Sequence, residues 1–338
     1  MKRLTAIYTM LLAVGLMGSE AWTQQYQLPS GVRAGQHRTK EFHGTGRASF
    51  HALKVGQSAR AAAMGDAFTA AADDINAMFW NTAALTHIEQ FEYTLGYTRW
   101  MVDSKFFNGA VAWRYGQQTF GLSVVQFDAG TSRETTPLDP QGRFTRDISA
   151  GDIFINFGYA YKMTDKLSLG VSVKWIQETL DQDKINSASF DFSSVFYTGF
   201  GSSRLAMTLR NFGKDQELVI PGSLPQGTSI AQPLLYTIAL AMEPYGRKGD
   251  PTYLTVAAEL IHHIDDRERW HVGGELWVAN TLALRAGYRG RYDLGTWTLG
   301  GGVQKDLGVG RKIGVDFAYI SFGELFDPPL RVSITGSF

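Results

Sequence analysis

Hydrophobic and polar positions alternate along most of this chain with a period of two. In the stretch 166–178, Leu167, Leu169, Val171, Val173 and Trp175 share one parity, while Ser168, Gly170, Ser172 and Lys174 share the other. Successive side chains of a strand face opposite sides, so such a segment has one oily and one polar face. The same pattern sets Trp270, Val272, Leu276 and Val278 against His271, Gly273 and Glu275. It sets Leu282, Leu284, Ala286 and Tyr288 against Thr281, Arg285 and Arg289, and Ile313, Val315, Phe317 and Tyr319 against Gly314, Asp316 and Ala318. These segments run to about ten residues, the length a tilted strand needs to cross the hydrocarbon of a bilayer.

Such segments fall at 91–100, 107–115, 118–127, 152–163, 166–178, 187–197, 203–211, 234–242, 252–261, 269–278, 281–290, 295–305, 311–321 and 329–338. About fourteen is an even number, as single-chain bacterial barrels have. With the first connection taken as outward, the inward ones include Gly116-Gln117, Thr164-Asp165 and Ala279-Asn280, tight turns with residues that accept positive φ. The two longest outward connections, 128–151 and 212–233, carry Pro137, Pro140, Pro221, Pro225 and Pro233. Short turns at one end and longer loops at the other are the asymmetry of outer-membrane barrels. A soluble sandwich or propeller also alternates. It has no need of Trp100, Trp113, Trp175, Trp270 and Trp297 near strand ends, where a membrane-interface girdle places aromatics. Nor does it need a last strand of Leu330, Val332, Ile334 and Gly336 that closes on Phe338. The expected fold is all-β: an antiparallel transmembrane β-barrel of about fourteen strands over 91–338, in the cell outer membrane and in contact with its lipid.

The residues before the barrel divide into three. Lys2 and Arg3, the mostly apolar stretch 4–16 and Ser19-Glu20-Ala21 make a signal peptide over 1–21. The stretch 22–50 is polar and aperiodic, a flexible lead-in. In 51–90 the Ala-rich segment 59–72 places Met64 and Phe68 four apart, the spacing of one helix face.

Charge and candidate chemistry exclude more than they assign. Lys and Arg total 32 against 32 Asp and Glu, without the basic excess a nucleic-acid binder uses. The absence of Cys rules out disulfides, thiolate metal sites and Cys nucleophiles. His262-His263 with Asp265 and Asp266 reads as a solvated outer loop rather than a metal cluster, since neighbours on a strand point apart. The glycines at 300–302 and Gly308-Val309-Gly310 do not lead from a strand into a helix, as a phosphate loop requires. Lys174, Glu259, Glu275, Arg285, Asp316 and Arg331 fall on the polar faces of their strands. On the lipid face a midplane Lys or Arg costs about 2–4 kcal/mol, so these six are expected to form a lumen network. Glu259 and Glu275 could be an acid–base pair, but neighbouring Arg285 favours a structural role. No catalytic residue, metal or cofactor is assigned, and the chain is not expected to be an enzyme.

The segment 59–85, ARAAAMGDAFTAAADDINAMFWNTAAL, closely resembles the N-terminal signature of the PorV/PorQ family, within the FadL-like group of outer-membrane barrels. Arg60, Met64, Gly65, Asp66, Asp73, Asp74, Trp80 and Asn81 match, as do Ala67, Ala83 and Leu85. Thr82 and Ala84 stand where the family has Pro and Gly, which predicts a less rigid turn after Asn81. Phe190-Asp191, the run 211–213, the run 274–277 and the run 284–288 are similar to further family landmarks. The resemblance implies a fourteen-stranded barrel whose segment 51–90 folds into the lumen as a short helical plug. It also implies one of two functions. As a PorV-like protein the chain would be accessory to type IX secretion, with the secretion channel and C-terminal-signal cargo as partners. As a FadL-like transporter it would pass long-chain fatty acids or other hydrophobic small molecules. The second needs a greasy pocket between plug and wall, which Phe68, Met78, Phe79 and Trp80 could line or could leave for the plug's own core.

Overall fold

A computed structural model describes residues 48–143, 145–181, 183–218, 228–308, 310–323 and 326–338. The expected signal peptide over 1–21, residues 22–47 of the lead-in expected over 22–50 and the loop prolines Pro221 and Pro225 lie outside the described residues, while Ala48 and Phe50 at the end of that lead-in are buried. The strands are β1 Phe91–Arg99, β2 Lys105–Tyr115, β3 Gln118–Arg133, β4 Asp147–Lys162, β5 Leu167–Leu180, β6 Asp183–Tyr197, β7 Arg204–Gly213, β8 Gln216–Leu218, β9 Thr228–Ile230, β10 Leu235–Tyr245, β11 Tyr253–His263, β12 Arg269–Val278, β13 Leu282–Gly290, β14 Trp297–Gly308, β15 Arg311–Ile320 and β16 Leu330–Ser337. Fourteen of them, all but β8 and β9, pair antiparallel with their sequence neighbours, and β1 closes on β16. The expected count and order are those of the structure.

Alternation sets the two faces. Leu169, Val171, Val173 and Trp175 of β5 are exposed on the outside, while Ser168 and Ser172 are buried within. At the β1–β16 seam Phe338 stacks on Tyr93, ring centroids 6.0 Å apart, packing the last residue against the first strand.

Four expectations about the connections and girdle need correction. The 128–151 connection is partly strand: β3 runs on to Arg133 and β4 begins at Asp147, paired with each other across a bulge after Asp128. Here both faces are polar, so alternation fades while backbone pairing continues. The 212–233 connection holds the small β8–β9 hairpin. Between β5 and β6 the chain turns tightly, with Asp181 at φ 58°, so the outward connections are not uniformly long. Trp100 is no girdle residue. It packs edge-on against Phe106 and Phe322, and Arg331 lies over its ring.

The lumen is filled by residues 48–90. Ala48 forms a bridge with Ala231, Ser49 donates to Glu178 and Lys54 pairs with Asp265, all at the long-loop end. From there the plug descends to the short-turn end, where Asp73 pairs with Lys248 and His87 meets Tyr197. The expected helix over 59–72 shortens to Ala59–Ala63, capped by the Ser58 side chain. Gly65 and Asp66 take φ of 66° and 61°, which ends the helix and puts Met64 and Phe68 on no common helical face. Asp74 and Asn81 then cap 3-10 turns over Ile75–Phe79 and Thr82–His87.

Small residues on the inner wall let the plug backbone lie directly against it. A Cβ built on Gly287 would stand 2.1 Å from the Gly65 nitrogen, and one on Gly273 would stand 2.1 Å from the Met64 oxygen. On the opposite wall, a Cβ at Gly170 would stand 2.3 Å from the Ala83 nitrogen. Buried Ala110, Ala112, Ala160, Ala239 and Ala241 continue the smooth lining. Thr82 and Ala84 therefore sit in a docked turn that needs neither Pro nor Gly to hold its shape.

Two outcomes test this architecture. An epitope inserted between Pro137 and Gln141 should be labelled on intact cells, and one at Thr164-Asp165 only after permeabilisation. Gly287→Val should lower the thermal midpoint by the equivalent of about 1–3 kcal/mol, the usual cost of overpacking, and raise ion conductance in planar bilayers, whereas Gly308→Ala, in a turn with open space around it, should leave conductance unchanged.

Candidate functional site

Arg60, from the plug helix, is the centre of the interface between plug and wall. Its Nε and Nη2 donate to the two carboxylate oxygens of Glu275 at 2.7 and 2.6 Å. Its Nη1 donates to Asp73 at 2.6 Å and Asp74 at 2.7 Å. On the wall, Arg285 donates to Glu275 and to Asp316, each at 2.6 Å. Lys248 extends the web from the short-turn end by pairing with Asp73 at 2.5 Å. Burial alone would raise the Asp73 carboxyl, but the charges of Arg60 and Lys248 outweigh it and hold the group well below the usual carboxylate range.

The six wall charges expected to make one network fall into four places. Glu275, Arg285 and Asp316 join the Arg60 web. Glu259 stands apart, accepting from the Thr69 backbone and meeting His271 Nδ1 at 2.9 Å. Arg285 thus neutralises Glu275 and not Glu259, and the two glutamates form no dyad. Lys174 donates to Asp191 and Asn211, and Arg331 to the Gly56 carbonyl. The separation is geometric. Lys174 lies on β5, far around the barrel, whereas Glu259 and Arg331 sit on strands next to those of the web but at other heights, opposite His271 and Ala318, and the parity of a single strand encodes neither distance.

The signature residues each hold the plug. Beyond Arg60, Asp73 and Asp74, Asp66 pairs with Arg289 at 3.1 Å. Met64 and Gly65 occupy the glycine seats. Trp80 meets Phe68 edge-on at 5.7 Å. Asn81 Nδ2 donates to the Thr69 carbonyl at 2.9 Å, tying two plug turns together. His87 donates from Nδ1 to the Ala84 carbonyl and accepts the Tyr197 hydroxyl at Nε2. Burial and the nearby Lys248 charge push its pKa down to about 4, which keeps this neutral tautomer. Sequence reasoning missed Arg204, Glu243 and Arg289. The buried Arg204–Glu243 pair, at 3.0 Å, starts at a strand edge that reads as a turn.

Two spaces flank the plug. At the short-turn end a vestibule of about 390 Å³ is lined largely by charges, among them Arg60, Asp74, Glu92 and Lys312. On the long-loop side a cavity of about 80 Å³ lies between plug and wall. At roughly 10–15 Å³ of such space per water, it takes several waters. Its apolar lining includes Val55, Met78, Phe79, Trp80, Phe154 and Ile261. Of the four residues weighed for a greasy pocket, Met78, Phe79 and Trp80 line it, while Phe68 is fully buried in the plug core. His263 also lines it, buried, while His262 is exposed on the other face. With Asp265 buried on Lys54, the 262–266 stretch is only partly the solvated loop expected.

A family model described as an uncharacterised protein family, UPF0164, matches residues 28–214. That is over half of the chain, which therefore belongs to this family. No match was found among curated proteins. Among solved structures, the toluene transporter TbuX of Ralstonia pickettii is similar with a TM-score of 0.56 at 13% identity, over 84% of this chain and 98% of that one. The monoaromatic hydrocarbon channel CymD gives 0.59 at 13%, over 84% and 98%. The toluene transporter TodX of Pseudomonas putida gives 0.56 at 13%, over 83% and 97%. At such identities the likeness is one of fold.

The Arg60 web yields a graded expectation. Glu275→Ala leaves two guanidiniums facing each other in a buried site and should cost about 3–5 kcal/mol, read as earlier thermal loss of the folded gel band and a rise in conductance. Arg133→Ala, in a pair whose side chains are 60% and 62% exposed, should change stability by no more than about 1 kcal/mol.

Proposed function

We propose that this chain is a non-enzymatic outer-membrane barrel that admits small hydrophobic solutes from the long-loop side into the cavity between plug and wall. The observation that carries the reading is that cavity, where the apolar side chains of Val55, Met78, Phe79, Trp80, Phe154 and Ile261 gather between plug and wall beside polar ones such as Gln57 and Asn156. A pore for water-soluble nutrients has no use for such a lining, whereas apolar ligands bind in pockets of this kind. The fold likeness to transporters of toluene and to a monoaromatic hydrocarbon channel supports the same class of solute. The band of exposed Leu95, Val171, Val173, Phe192, Leu284 and Val315 is the surface that outer-membrane lipid covers.

A second reading, as a PorV/PorQ-type accessory of type IX secretion, rests on the 59–85 signature and on one structural observation. The strands β3 and β4 are 16 residues long against 9 in β13, so one side of the barrel rises as an arm. Leu138, 98% exposed, stands at its tip, a feature of a docking rim for a secretion channel or cargo. Deleting the gene and following both processes separates the two readings. Uptake of labelled toluene and of a long-chain fatty acid should fall to passive leak while cargo with C-terminal signals still reaches the surface. Unchanged uptake with cargo stranded in the periplasm would select the secretion reading instead.

A further inference from the structure

Outward-facing side chains of β14, β15, β16 and β1 line up in rungs where the closing seam nears the short turns. In one rung Leu95, Ile334, Val315 and Val303 stand side by side, all exposed and all aliphatic. One step nearer the turns the rung is Tyr93, Gly336, Ile313 and Lys305. Gly336 brings no side chain, and the Tyr93 ring lies over it. The last rung sets Phe91 beside Phe338, with the Arg311 guanidinium 5.7 Å from the centre of the Phe338 ring. Within two rungs the lipid-facing surface thus passes from aliphatic to aromatic rings with two exposed cations, Lys305 and Arg311.

No carboxylate of the protein balances these two. Asp306, next to Lys305 in the chain, has the other parity: it lines the vestibule with Glu89, Glu92 and Lys312, and its Oδ1 accepts from the Gly308 amide. Among the described residues neither Lys305 nor Arg311 forms an ion pair with any carboxylate, that of the chain end included. Elsewhere on the short-turn side Lys162 reaches Asp165 and Lys248 reaches Asp73. A cation on a lipid-facing strand is costly at midplane and cheap at the interface, where its stem lies on apolar surface and its head meets the headgroups. A guanidinium held on a ring keeps its forked donors free for a phosphate. Register places the two cations on adjacent strands two residues out of step, with Lys305 opposite Ile313. That diagonal, about 7–8 Å between backbones, lets two long side chains converge on one group. We infer that this patch binds an anionic phospholipid of the leaflet on the short-turn side. Its phosphate sits between Lys305 and Arg311, and its acyl chains run along the aliphatic rung. The bound lipid lies across the β1–β16 seam that closes the barrel.

Native mass spectrometry of the detergent-purified full chain, titrated with equal amounts of dioleoyl phosphatidylglycerol and dioleoyl phosphatidylcholine, tests it. The expected result is a phosphatidylglycerol adduct favoured about tenfold or more over phosphatidylcholine, whose choline cancels the phosphate charge. Lys305→Gln and Arg311→Gln should each lower the phosphatidylglycerol adduct about fivefold, the worth of one cation at an anionic surface, and leave the phosphatidylcholine adduct unchanged. Lys166→Gln, which removes an exposed cation at the turn before β5, should alter neither adduct. Glycerol 1-phosphate, which carries the phosphate without the chains, should not displace the lipid at equal concentration. Heat-modifiable gel migration confirms that each variant is folded. Equal adducts of the two lipids in the wild type would overturn the inference. So would an effect of Lys166→Gln as large as that of Lys305→Gln, which means diffuse charge, or displacement by glycerol 1-phosphate, which means a site for free phosphate.

Discussion

One buried cation joins the two halves of this molecule. Arg60 is carried by a helix of five residues, too short to persist alone, and its guanidinium spends its donors on Glu275 of the wall and on Asp73 and Asp74 of the plug. Each carboxylate fixes a different part of the chain. Glu275 ties the helix to β12, Arg285 and Asp316 spread the tie to β13 and β15, and the two aspartates pull the following plug turns onto the same point. Taking these charges out of water is expensive, and the web is tolerable because nearly every donor and acceptor finds a partner.

Charge alone would not bring the plug this close. The backbone at Met64 and Gly65 lies against Gly273 and Gly287, positions where any side chain would collide with main-chain atoms. On the other side Gly170 admits the Ala83 turn and Gly121 the Met78 sulfur. The wall thus grips the plug through absences of side chains, and the ion pairs work at short range because the glycines permit it. The same closeness leaves the long-loop cavity and the short-turn vestibule as separate spaces on the two sides of the plug.

Much of this was legible in the sequence. A period of two is imposed on every strand by lipid on one side and lumen on the other, so strand number and order could be read from residues such as Leu167 to Trp175. Where both faces are wet, as from Asp128 to Arg133 and from Asp147 onward, that signal disappears although the backbone remains paired. Parity also placed Lys174, Glu259, Glu275, Arg285, Asp316 and Arg331 in the lumen. Which of them touch depends on angular position around the barrel and on what the plug brings between them, and neither is written in local pattern. The helix over 59–72 was overread because Ala favours helix, while Gly65 and Asp66, both at positive φ, end it after Ala63. Buried His263 hid behind exposed His262, since a pair of adjacent histidines looks the same in sequence whichever one faces inward.

The path of the plug has a mechanical consequence. The described part of the plug starts at Ala48 beside the long loops and leaves the lumen at Gln90 beside the short turns, where β1 begins. It is therefore a thread drawn through a ring, and not a stopper seated in one end. Pushing it out toward the short turns would drag Ala48 and its neighbours through the full height of the barrel. Pulling it the other way would tear β1 from β2 and β16. With the β1–β16 seam closed, any opening beside the plug has to come from repacking in place.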